Sequence, residues 1–275
     1  MIGSSRTLVN LALCLVVGMA TQARAGFDDF NNWTLVEDPA DPNMSANVDS
    51  AAAVTLNAIG PVPNAVDIGY QSVDDDTVAA STAGYAFDPM QSFAIAVDYD
   101  LSFLGSPDGG IGIGFGIGED ADGTNSAGVA LAFNDGAGLA TAGVARVNDV
   151  DAASPIAIGA AADGSMHVSY DATTGDIVVG VGTVGDSTPS TSTTLDAADV
   201  SDLWQGDWLL ASLFLRSDAV AGFGVPFTAG EAEAVFSDVR VTSGSAVFVP
   251  EPASIGFLLA GGAMLIGRRQ SRRPS

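Results

Sequence analysis

Residues 93–103 read Phe-Ala-Ile-Ala-Val-Asp-Tyr-Asp-Leu-Ser-Phe, and this stretch decides the fold class. Every second residue from Phe93 to Phe103 is large and apolar, whereas the residues between them are small or acidic. A period of two is typical of a β-strand with one buried face. The next segment, 111–118, alternates large apolar residues with glycines, so one face is apolar and the other carries no side chains.

Similar short segments follow on both sides of this pair. The segment 129–133 is followed by Asn-Asp-Gly at 134–136, and 139–147 is its predicted hairpin partner. The sequence Asp-Ala-Thr-Thr-Gly-Asp at 171–176 predicts a tight hairpin between strands at 166–170 and 177–181. Further strands are predicted at 33–36, 208–216 and 232–241. About ten short strands without an amphipathic helix predict an all-β, two-layer antiparallel β-sandwich of the jelly-roll kind.

The first 25 residues have the three parts of a secretory signal peptide. Arg6 precedes an apolar stretch at 8–20, and Ala23 and Ala25 form a small-x-small pattern. We expect signal peptidase to cut after Ala25, so that the mature chain begins at Gly26. An uncleaved helical anchor is the alternative interpretation.

The last 27 residues predict a second processing signal. The motif Val249, Pro250, Glu251, Pro252 precedes a 15-residue apolar run at 253–267. Prolines keep their neighbourhood extended and open to a protease. As a helix the apolar run spans about 22 Å, which is marginal against about 30 Å of hydrocarbon. The arginines that follow favour a cytoplasmic carboxyl end; they are Arg268, Arg269, Arg272 and Arg273.

This order of motif, short transmembrane helix and basic cluster at 249–275 resembles the PEP-CTERM sorting signal. The resemblance implies processing by exosortase, a membrane protease of Gram-negative-type bacteria that make exopolysaccharide. It implies a location in the cell envelope, on the surface or in the extracellular matrix, with membrane contact only through the tail before cleavage. A plain tail anchor is the alternative. The predicted domains are 1–25, 26–248 and 249–275.

The composition of the body, 26–248, limits its chemistry. It carries 32 acidic residues against three arginines, which disfavours binding of nucleic acid. It has no cysteine, and His167 is the only histidine of the chain. Disulfides, thiolate sites and zinc sites built on several histidines are therefore excluded. A Ser-His-Asp triad would need His167, which the pattern indicates to be an ordinary strand residue.

Three segments of the body resemble the concanavalin A-like lectin/glucanase sandwich. They are Phe-Asp-Asp-Phe at 27–30, Tyr-Asp-x-x-x-Gly at 170–175 and Val-Phe-Ser-Asp-Val-Arg-Val at 235–241. The resemblance implies that the first and last of these pair as neighbouring strands. It also implies glycan binding or glycan cleavage. An immunoglobulin-like sandwich is the alternative fold.

Two features suggest a glycan-binding surface. Trp204 lies in a polar connection just before a strand, where an exposed ring would stack on a sugar. Edge packing is its alternative role. The glycine face of 111–118 would form a groove floor, unless the glycines instead admit bulky side chains or allow curvature.

Acidic residues suggest two further sites. Calcium takes six to eight oxygen ligands, and the loop 119–125 offers Glu119, Asp120, Asp122 and Asn125. A solvated acidic hairpin is the alternative there. Glucanases use two carboxylates on one strand face; Glu231 and Glu233 have that spacing, although they lack the aspartate that the family places between them.

The sequence thus predicts an exported, non-catalytic glycan-binding or structural β-sandwich of the cell surface or matrix. Exopolysaccharide is its expected ligand and calcium its one candidate cofactor. The sequence is nearly as consistent with a purely structural surface protein that has no ligand. The alternative from another class is a secreted glycoside hydrolase or polysaccharide lyase.

Overall fold

A computed structural model describes residues 26–74, 84–119, 124–148, 150–204, 206–217 and 225–249. Within these ranges the chain forms sixteen strands and three short 3₁₀ turns. The strands are β1 (Thr34–Asp38), β2 (Met44–Ser50), β3 (Ala53–Ile59), β4 (Val66–Gln71), β5 (Gly84–Ala86), β6 (Phe93–Asp108), β7 (Gly110–Gly118), β8 (Ser126–Asn134), β9 (Gly138–Val147), β10 (Val150–Gly159), β11 (Asp163–Tyr170), β12 (Ile177–Gly182), β13 (Thr191–Leu195), β14 (Leu210–Ser217), β15 (Ala229–Ser243) and β16 (Val247–Val249). The 3₁₀ turns are Phe30–Asn32, Ala197–Asp199 and Ser201–Leu203.

The strands form two antiparallel seven-stranded sheets and one two-stranded ribbon. Sheet A has the order β1-β4-β14-β7-β8-β9-β10, and sheet B has the order β13-β12-β11-β6-β15-β3-β2. Strands β5 and β16 form the ribbon. The predicted two-layer β-sandwich is therefore confirmed. Two sheets of seven strands exceed the seven to nine strands of an immunoglobulin-like sandwich, which excludes that alternative.

The core lies between the two sheets, as the period-two pattern predicts. On β7, Ile111, Ile113, Phe115 and Ile117 are buried, and across the sandwich this strand lies against β11 of sheet B. The glycines of β7 lie on the opposite, outer face of sheet A. Alternation in the sequence thus assigns each of these residues to the correct side of its sheet.

The predicted hairpin at 171–176 is confirmed. Strands β11 and β12 pair from Ser165 with Gly182 to Tyr170 with Ile177, and Gly175 has a φ of 82°. The N–H of Gly175 donates to the carbonyl oxygen of Asp171 at 2.7 Å, which closes the turn. This positive φ is the backbone conformation that glycine adopts without strain.

The expected pairing of the opening segment with the closing strand is wrong. Residues 27–30 form a turn and the start of a 3₁₀ turn, and the first strand, β1, pairs with β4 in sheet A. The closing strand β15 pairs with β3 and β6 in sheet B. The opening segment instead contributes aromatic rings to the core, where Phe27 packs against Trp33 and Phe87. Burial of these rings, rather than strand pairing, fixes the start of the domain.

Several strands escaped the sequence pattern because they carry few large apolar residues. Strands β2 and β13 consist mainly of Ala, Ser, Thr, Asn and Asp. Each lies at or next to a sheet edge, where one neighbour supplies the ladder and little apolar surface is buried.

No helix in the described part of the chain is both long and apolar enough to span a membrane. The predicted signal peptide, with Ala23 and Ala25, lies outside the described residues, as do Pro250, Glu251, Pro252 and the four arginines of the tail. Gly26 and Val249 are inside them. The carbonyl oxygen of Gly26 accepts from the side chain of Asn32 at 3.0 Å, and Val249 pairs with Gly84 in the ribbon.

Candidate functional site

The outer face of sheet A has a floor built of small residues. Strand registers place Gly112 beside Ala132, Gly114 beside Ala130 and Gly116 beside Gly128, and Ala142 of β9 lies beside Ala130. We call the surface formed by Gly112, Gly114, Gly116, Ala130, Ala132 and Ala142 the small-residue floor. It runs over the inner strands β7, β8 and β9, so the predicted groove floor of 111–118 extends over two neighbouring strands.

Phe214 of β14 lies over Gly114, on the side of the floor that adjoins β14. Its register partners are Gly69 on one side and Gly114 on the other. A Cβ atom added to Gly114 would lie 2.5 Å from Cε1 of the Phe214 ring, so the ring occupies the space that a side chain would take. The ring is half-buried. Phe214 therefore offers an aromatic surface next to an open backbone.

An ion pair borders the floor two residues further along β14, at Arg216. Arg216 pairs in register with Asp67 and Gly112, and its Nη1 donates to Oδ2 of Asp67 at 2.9 Å. Both side chains remain partly exposed. The border thus supplies a donor and an acceptor beside an apolar ring.

Close backbone approach explains part of the glycine content of the floor. A Cβ atom at Gly116 would lie 2.7 Å from the carbonyl oxygen of Ala127, closer than real Cβ contacts. At Gly112 the nearest atom, the carbonyl oxygen of Leu131, would be 3.2 Å away. Glycine is therefore required at 116 by the fold, whereas position 112 has more room.

The outer face of sheet B is built differently, around a buried ion pair. Asp98 of β6 is 3% exposed, and its Oδ1 accepts from Nη2 of Arg240 at 2.9 Å. The connection between β12 and β13, residues 183–190, crosses this face, and we call it the strap. The N–H of Gly185 in the strap donates to both carboxylate oxygens of Asp98, at 3.1 and 3.0 Å. The strap is the reason that this aspartate is buried.

His167 lies under the strap beside Ser165. Its Nε2 is 2.7 Å from Oγ of Ser165, and that hydroxyl donates to the carbonyl oxygen of Thr183 at 2.9 Å. With the Ser165 hydroxyl donating to Thr183, the contact with His167 is satisfied by the tautomer that has its hydrogen on Nε2. Burial lowers the pKa of His167, and Arg240 adds to this effect, while Asp186 and Asp98 oppose it. Ser165 is fully buried and committed to Thr183, so this Ser-His pair offers no accessible nucleophile.

A shallow pocket of about 430 Å³ adjoins the strap. Its polar lining consists of Asp28, Asp98, Asp238 and Arg240, and its backbone wall includes Gly185. Nη1 of Arg240 donates to the carbonyl oxygen of Asp238 at 2.8 Å. The guanidinium therefore ties the closing strand, β6 and the strap together at the edge of this pocket.

The predicted calcium ligands divide between described and undescribed residues. Asp120 and Asp122 lie outside the described residues. Oε2 of Glu119 accepts from the side-chain amide of Asn125 at 2.9 Å, and its Oε1 accepts from the N–H of Gly206. Oδ1 of Asn125 accepts from the N–H of Asn148 at 2.7 Å. Both residues thus bridge loops at one end of sheet A, and in the described ranges no three His, Cys, Asp or Glu side chains converge on one point. Calcium at 119–125 stays a prediction.

The three tryptophans occupy different environments. Trp33 is 6% exposed and donates its indole N–H to the carbonyl oxygen of Phe27 at 2.9 Å, which makes it a core residue. Trp208 packs against the small cluster of Val73, Ala86 and Leu210. Trp204 is half-buried against the main core, and its Nε1 is enclosed without a hydrogen-bond partner in the described region. Its packing favours the edge role over sugar stacking, and the stacking role stays a prediction.

Glu231 and Glu233 share one face of β15, as their spacing predicts. They belong to the closing strand itself, because β15 begins at Ala229 rather than at 232. Both are exposed on the outer face of sheet B, where Glu231 lies between Ile59 and Leu104. They are therefore on the opposite side of the molecule from the small-residue floor.

Sequence reasoning missed Phe214 and the Asp98–Arg240 pair. The run Leu213-Phe214-Leu215 breaks the alternation of its strand, and this was the available signal for an apolar residue on an outer face. Asp98 and Asp100 have the same pattern in the sequence, and yet Asp100 is exposed. The difference in burial arises because the strap passes over Asp98 and does not cover Asp100.

Comparisons with known proteins give the following. No protein-family model matches the chain, and no curated protein matches its sequence. An alginate lyase from Pseudomonas aeruginosa has a similar structure, with 13% identity, coverage of 78% of this chain and 100% of that chain, and a TM-score of 0.44. An alginate lyase from Alteromonas sp. 272 shares 13% identity over 77% of this chain and 94% of that chain, with a TM-score of 0.43. A lectin from Bauhinia forficata in complex with GalNAc shares 12% identity over 80% and 96%, with a TM-score of 0.43. Scores of this size carry no argument about function, and the β-sandwich assignment rests on the two sheets themselves.

Proposed function

We propose that this protein is an exported, non-catalytic β-sandwich that binds a neutral, hydroxyl-rich polysaccharide on the outer face of sheet A. The observation that carries the proposal is the half-buried Phe214 ring lying over Gly114, beside the glycines and alanines of the small-residue floor. From Gly112 to Gly118 and across β14, β7, β8 and β9, this face measures about 20 by 14 Å, using ordinary strand spacings. That area is sufficient for several sugar rings.

The chemistry of the face suits a sugar. An aromatic ring packs against the apolar face of a pyranose, while nearby polar groups fix its orientation. Arg216 supplies donors and Asp67 supplies acceptors at the border of the floor. Glycines and alanines let the hydroxyl groups of a ligand approach the backbone.

The charge of the body favours a neutral ligand. With 32 acidic residues against three arginines at 26–248, the net negative charge disfavours binding of a polyanion. Arg216, which borders the floor, is held by Asp67, so it does not present a net positive site. We therefore expect neutral polysaccharides of the surface matrix to bind better than polyuronates.

Binding to immobilised polysaccharides tests this proposal. The full chain is incubated with neutral and uronate-rich polymers, with and without calcium, and the bound fraction is measured. We expect Phe214→Ala to lower binding to the neutral polymer at least tenfold. The control Glu231→Gln with Glu233→Gln, on the opposite face, should bind like the unchanged protein. Equal binding by Phe214→Ala, or no binding to any polymer, contradicts the proposal.

The same mixtures test the catalytic alternative. Release of reducing ends or of unsaturated sugars would indicate a glycoside hydrolase or a polysaccharide lyase. Loss of that release in the Glu231→Gln, Glu233→Gln protein would assign the reaction to these carboxylates. We expect no release from either protein.

Export and sorting form the second half of the proposal, and the two ends of the sequence support it. Mass spectrometry of membrane, surface-polymer and medium fractions from the producing cells gives the test. We expect a mature species that begins at Gly26 and ends near Pro250 to Pro252, in the polymer and medium fractions. An intact tail confined to the membrane fraction would mean that the segment is an ordinary anchor.

A further inference from the structure

The last strand of the described chain, β16, is fixed to the body. It pairs with β5, where Val249 lies opposite Gly84, and the ring centroids of Tyr85 and Phe248 are 5.5 Å apart. Strand β5 is held in turn by the residues that follow β4, because the N–H of Tyr85 donates to the carbonyl oxygen of Ser72 at 2.6 Å. The predicted sorting motif therefore begins directly after a strand that the body holds in place, with no flexible linker between them.

The pairing of β16 also fixes the direction in which the chain leaves the body. Strand β16 is antiparallel to β5, and the bridge between Gly84 and Val73 makes β5 antiparallel to the end of β4. Strand β16 therefore runs in the same direction as β4, and Val249 lies at the end of the sandwich that β4 reaches. We call this end, formed by β5, β16, the segment 87–93 and the hairpin 171–176, the ribbon end. The tail thus leaves along the strand direction and not from the face of a sheet.

The amino end of the body lies at the same place. The ring of Phe27 is 5.2 Å from that of Phe87, which directly follows β5. Gly26, the predicted first residue of the mature chain, immediately precedes Phe27. The apolar segments at 8–20 and 253–267 are therefore attached to one end of the sandwich, so both can enter the same bilayer while the body is folded.

The connection between β16 and the apolar tail limits how far the body can stand from a membrane. Residues 250–252 are the only ones between Val249 and the apolar run at 253–267, and they span at most about 10 Å when extended. Two of the three are prolines, which restrict the backbone to extended conformations. As a helix the apolar run is no longer than the hydrocarbon layer, so it has no turn to spare as an additional spacer.

We propose that the ribbon end is a membrane-facing surface, which the tail holds within about 10 Å of the bilayer until it is cleaved. The strands then stand upright on the membrane, and the binding face of sheet A points sideways. Phe214 lies four residues beyond the start of β14 at Leu210, or about 13 Å further from the membrane. The proposal rests on the sorting half of the proposed function.

The charges of the ribbon end indicate that the tail, and not lipid binding, makes this contact. The segments of this end carry Asp88, Asp171 and Asp176, and the neighbouring 3₁₀ turns add Asp199 and Asp202. None of the three arginines of the body lies in these segments. Anionic lipid headgroups repel such a surface. Cleavage of the tail should therefore release the body instead of leaving it bound to lipid.

Fluorescence quenching in vesicles tests the orientation. The mature chain with its tail, 26–275, is inserted into vesicles whose headgroups carry a quencher. Cys14 is the only cysteine and lies in the signal peptide, so a substituted cysteine is the only thiol that a dye can label. The three positions are exposed and lie at increasing distance from the ribbon end; they are Met90→Cys in the segment 87–93, Val184→Cys in the strap and Leu104→Cys near the far end of β6.

We expect quenching to decrease from position 90 through 184 to 104. Leu104 lies eleven residues along β6 from Phe93, or about 36 Å, which is beyond the reach of a headgroup quencher. Quenching at position 90 should exceed that at 104 at least about threefold. The cleaved body, 26–249, should not float with anionic vesicles; flotation of that species would overturn the assignment of the contact to the tail.

A flexible insertion provides the matched control. About twenty Gly and Ser residues placed after Val249 keep the tail but span roughly 25 Å, so the order of quenching should disappear. Equal quenching at the three positions of the uninserted protein, or an order that persists with the insertion, would overturn the orientation and leave the sorting tail in place. A chain 26–275 that does not float with the vesicles would overturn the membrane tail itself, and with it both proposals.

Discussion

The two outer faces of the sandwich each carry an arginine–aspartate pair with the same 2.9 Å contact. On sheet A, the side chains of Arg216 and Asp67 are 28% and 22% exposed. On sheet B, those of Arg240 and Asp98 are 23% and 4% exposed, because the strap covers the carboxylate. Water therefore replaces the lost partner on sheet A if one is removed, and it cannot do so on sheet B. The two pairs have the same length, so the loss of stability on breaking each pair depends on whether water can reach the remaining charge.

Removing Arg240 gives the largest expected effect. Arg240→Met leaves Asp98 buried without its cation, and an unpaired buried charge is strongly destabilising. We expect the free energy of unfolding to fall by about 3 kcal/mol, with Gly185 still donating to Asp98. Urea unfolding at pH 7.5 measures the change. A loss no larger than that of the Arg216 variant below would remove the distinction between the faces.

The close contacts of the floor give the next effect. At Gly116 a methyl group meets the carbonyl oxygen of Ala127, which belongs to a rigid neighbouring strand. We expect Gly116→Ala to destabilise the protein by about 2 kcal/mol and Gly112→Ala, the matched control, by less than about 1 kcal/mol. Thermal unfolding of the two variants checks the difference. Equal melting temperatures would show that backbone approach does not explain glycine at 116.

Global stability should depend on pH through His167. Burial lowers the pKa of His167 in the folded state, so below about pH 6.5 the unfolded chain binds more protons than the folded one. The stability present above that pH is lost as the pH falls toward the folded-state pKa, by at most about 1.4 kcal/mol per pH unit. Urea midpoints from pH 8 to pH 5 measure the slope. His167→Gln should flatten it, and an unchanged slope would assign the effect to other groups.

Removing Arg216 gives the smallest expected effect. Arg216→Met breaks the partly exposed pair with Asp67, for which we expect a loss of about 0.5 kcal/mol that shrinks as salt rises. Unfolding at low and high salt measures it. A loss as large as that of Arg240→Met would mean that partial exposure does not screen the sheet A pair.

Local pattern predicted the layers of the fold well and its edges poorly. The alternation at 93–103 and 111–118 placed the core residues, and Gly175 predicted its hairpin correctly. The pairing of 27–30 with the closing strand was wrong, because the aromatic rings of the opening segment gain more by burial than by joining a ladder. Strands such as β13, rich in serine and threonine, lack the apolar residues on which the pattern depends.

The candidate sites were predictable only in part, because a site joins residues that are distant along the chain. The glycine face of β7 was visible in the sequence, but its aromatic cover, Phe214, lies about a hundred residues further on. Glu231 and Glu233 were expected on one face and are found there. Which face that is, relative to the floor, depends on the order of strands in two sheets.

By itself, the sequence determined that the body is an acidic, cysteine-free, all-β chain whose strands each have one face for the core. It did so because the side-chain period of a strand is a local property. The tertiary structure alone decided which polar residues lose water. Asp98 and Asp100 follow the same local rule, and a strap more than eighty residues away covers one and leaves the other exposed. Burial is set by what the rest of the chain places above a residue, and a local pattern contains no information about that.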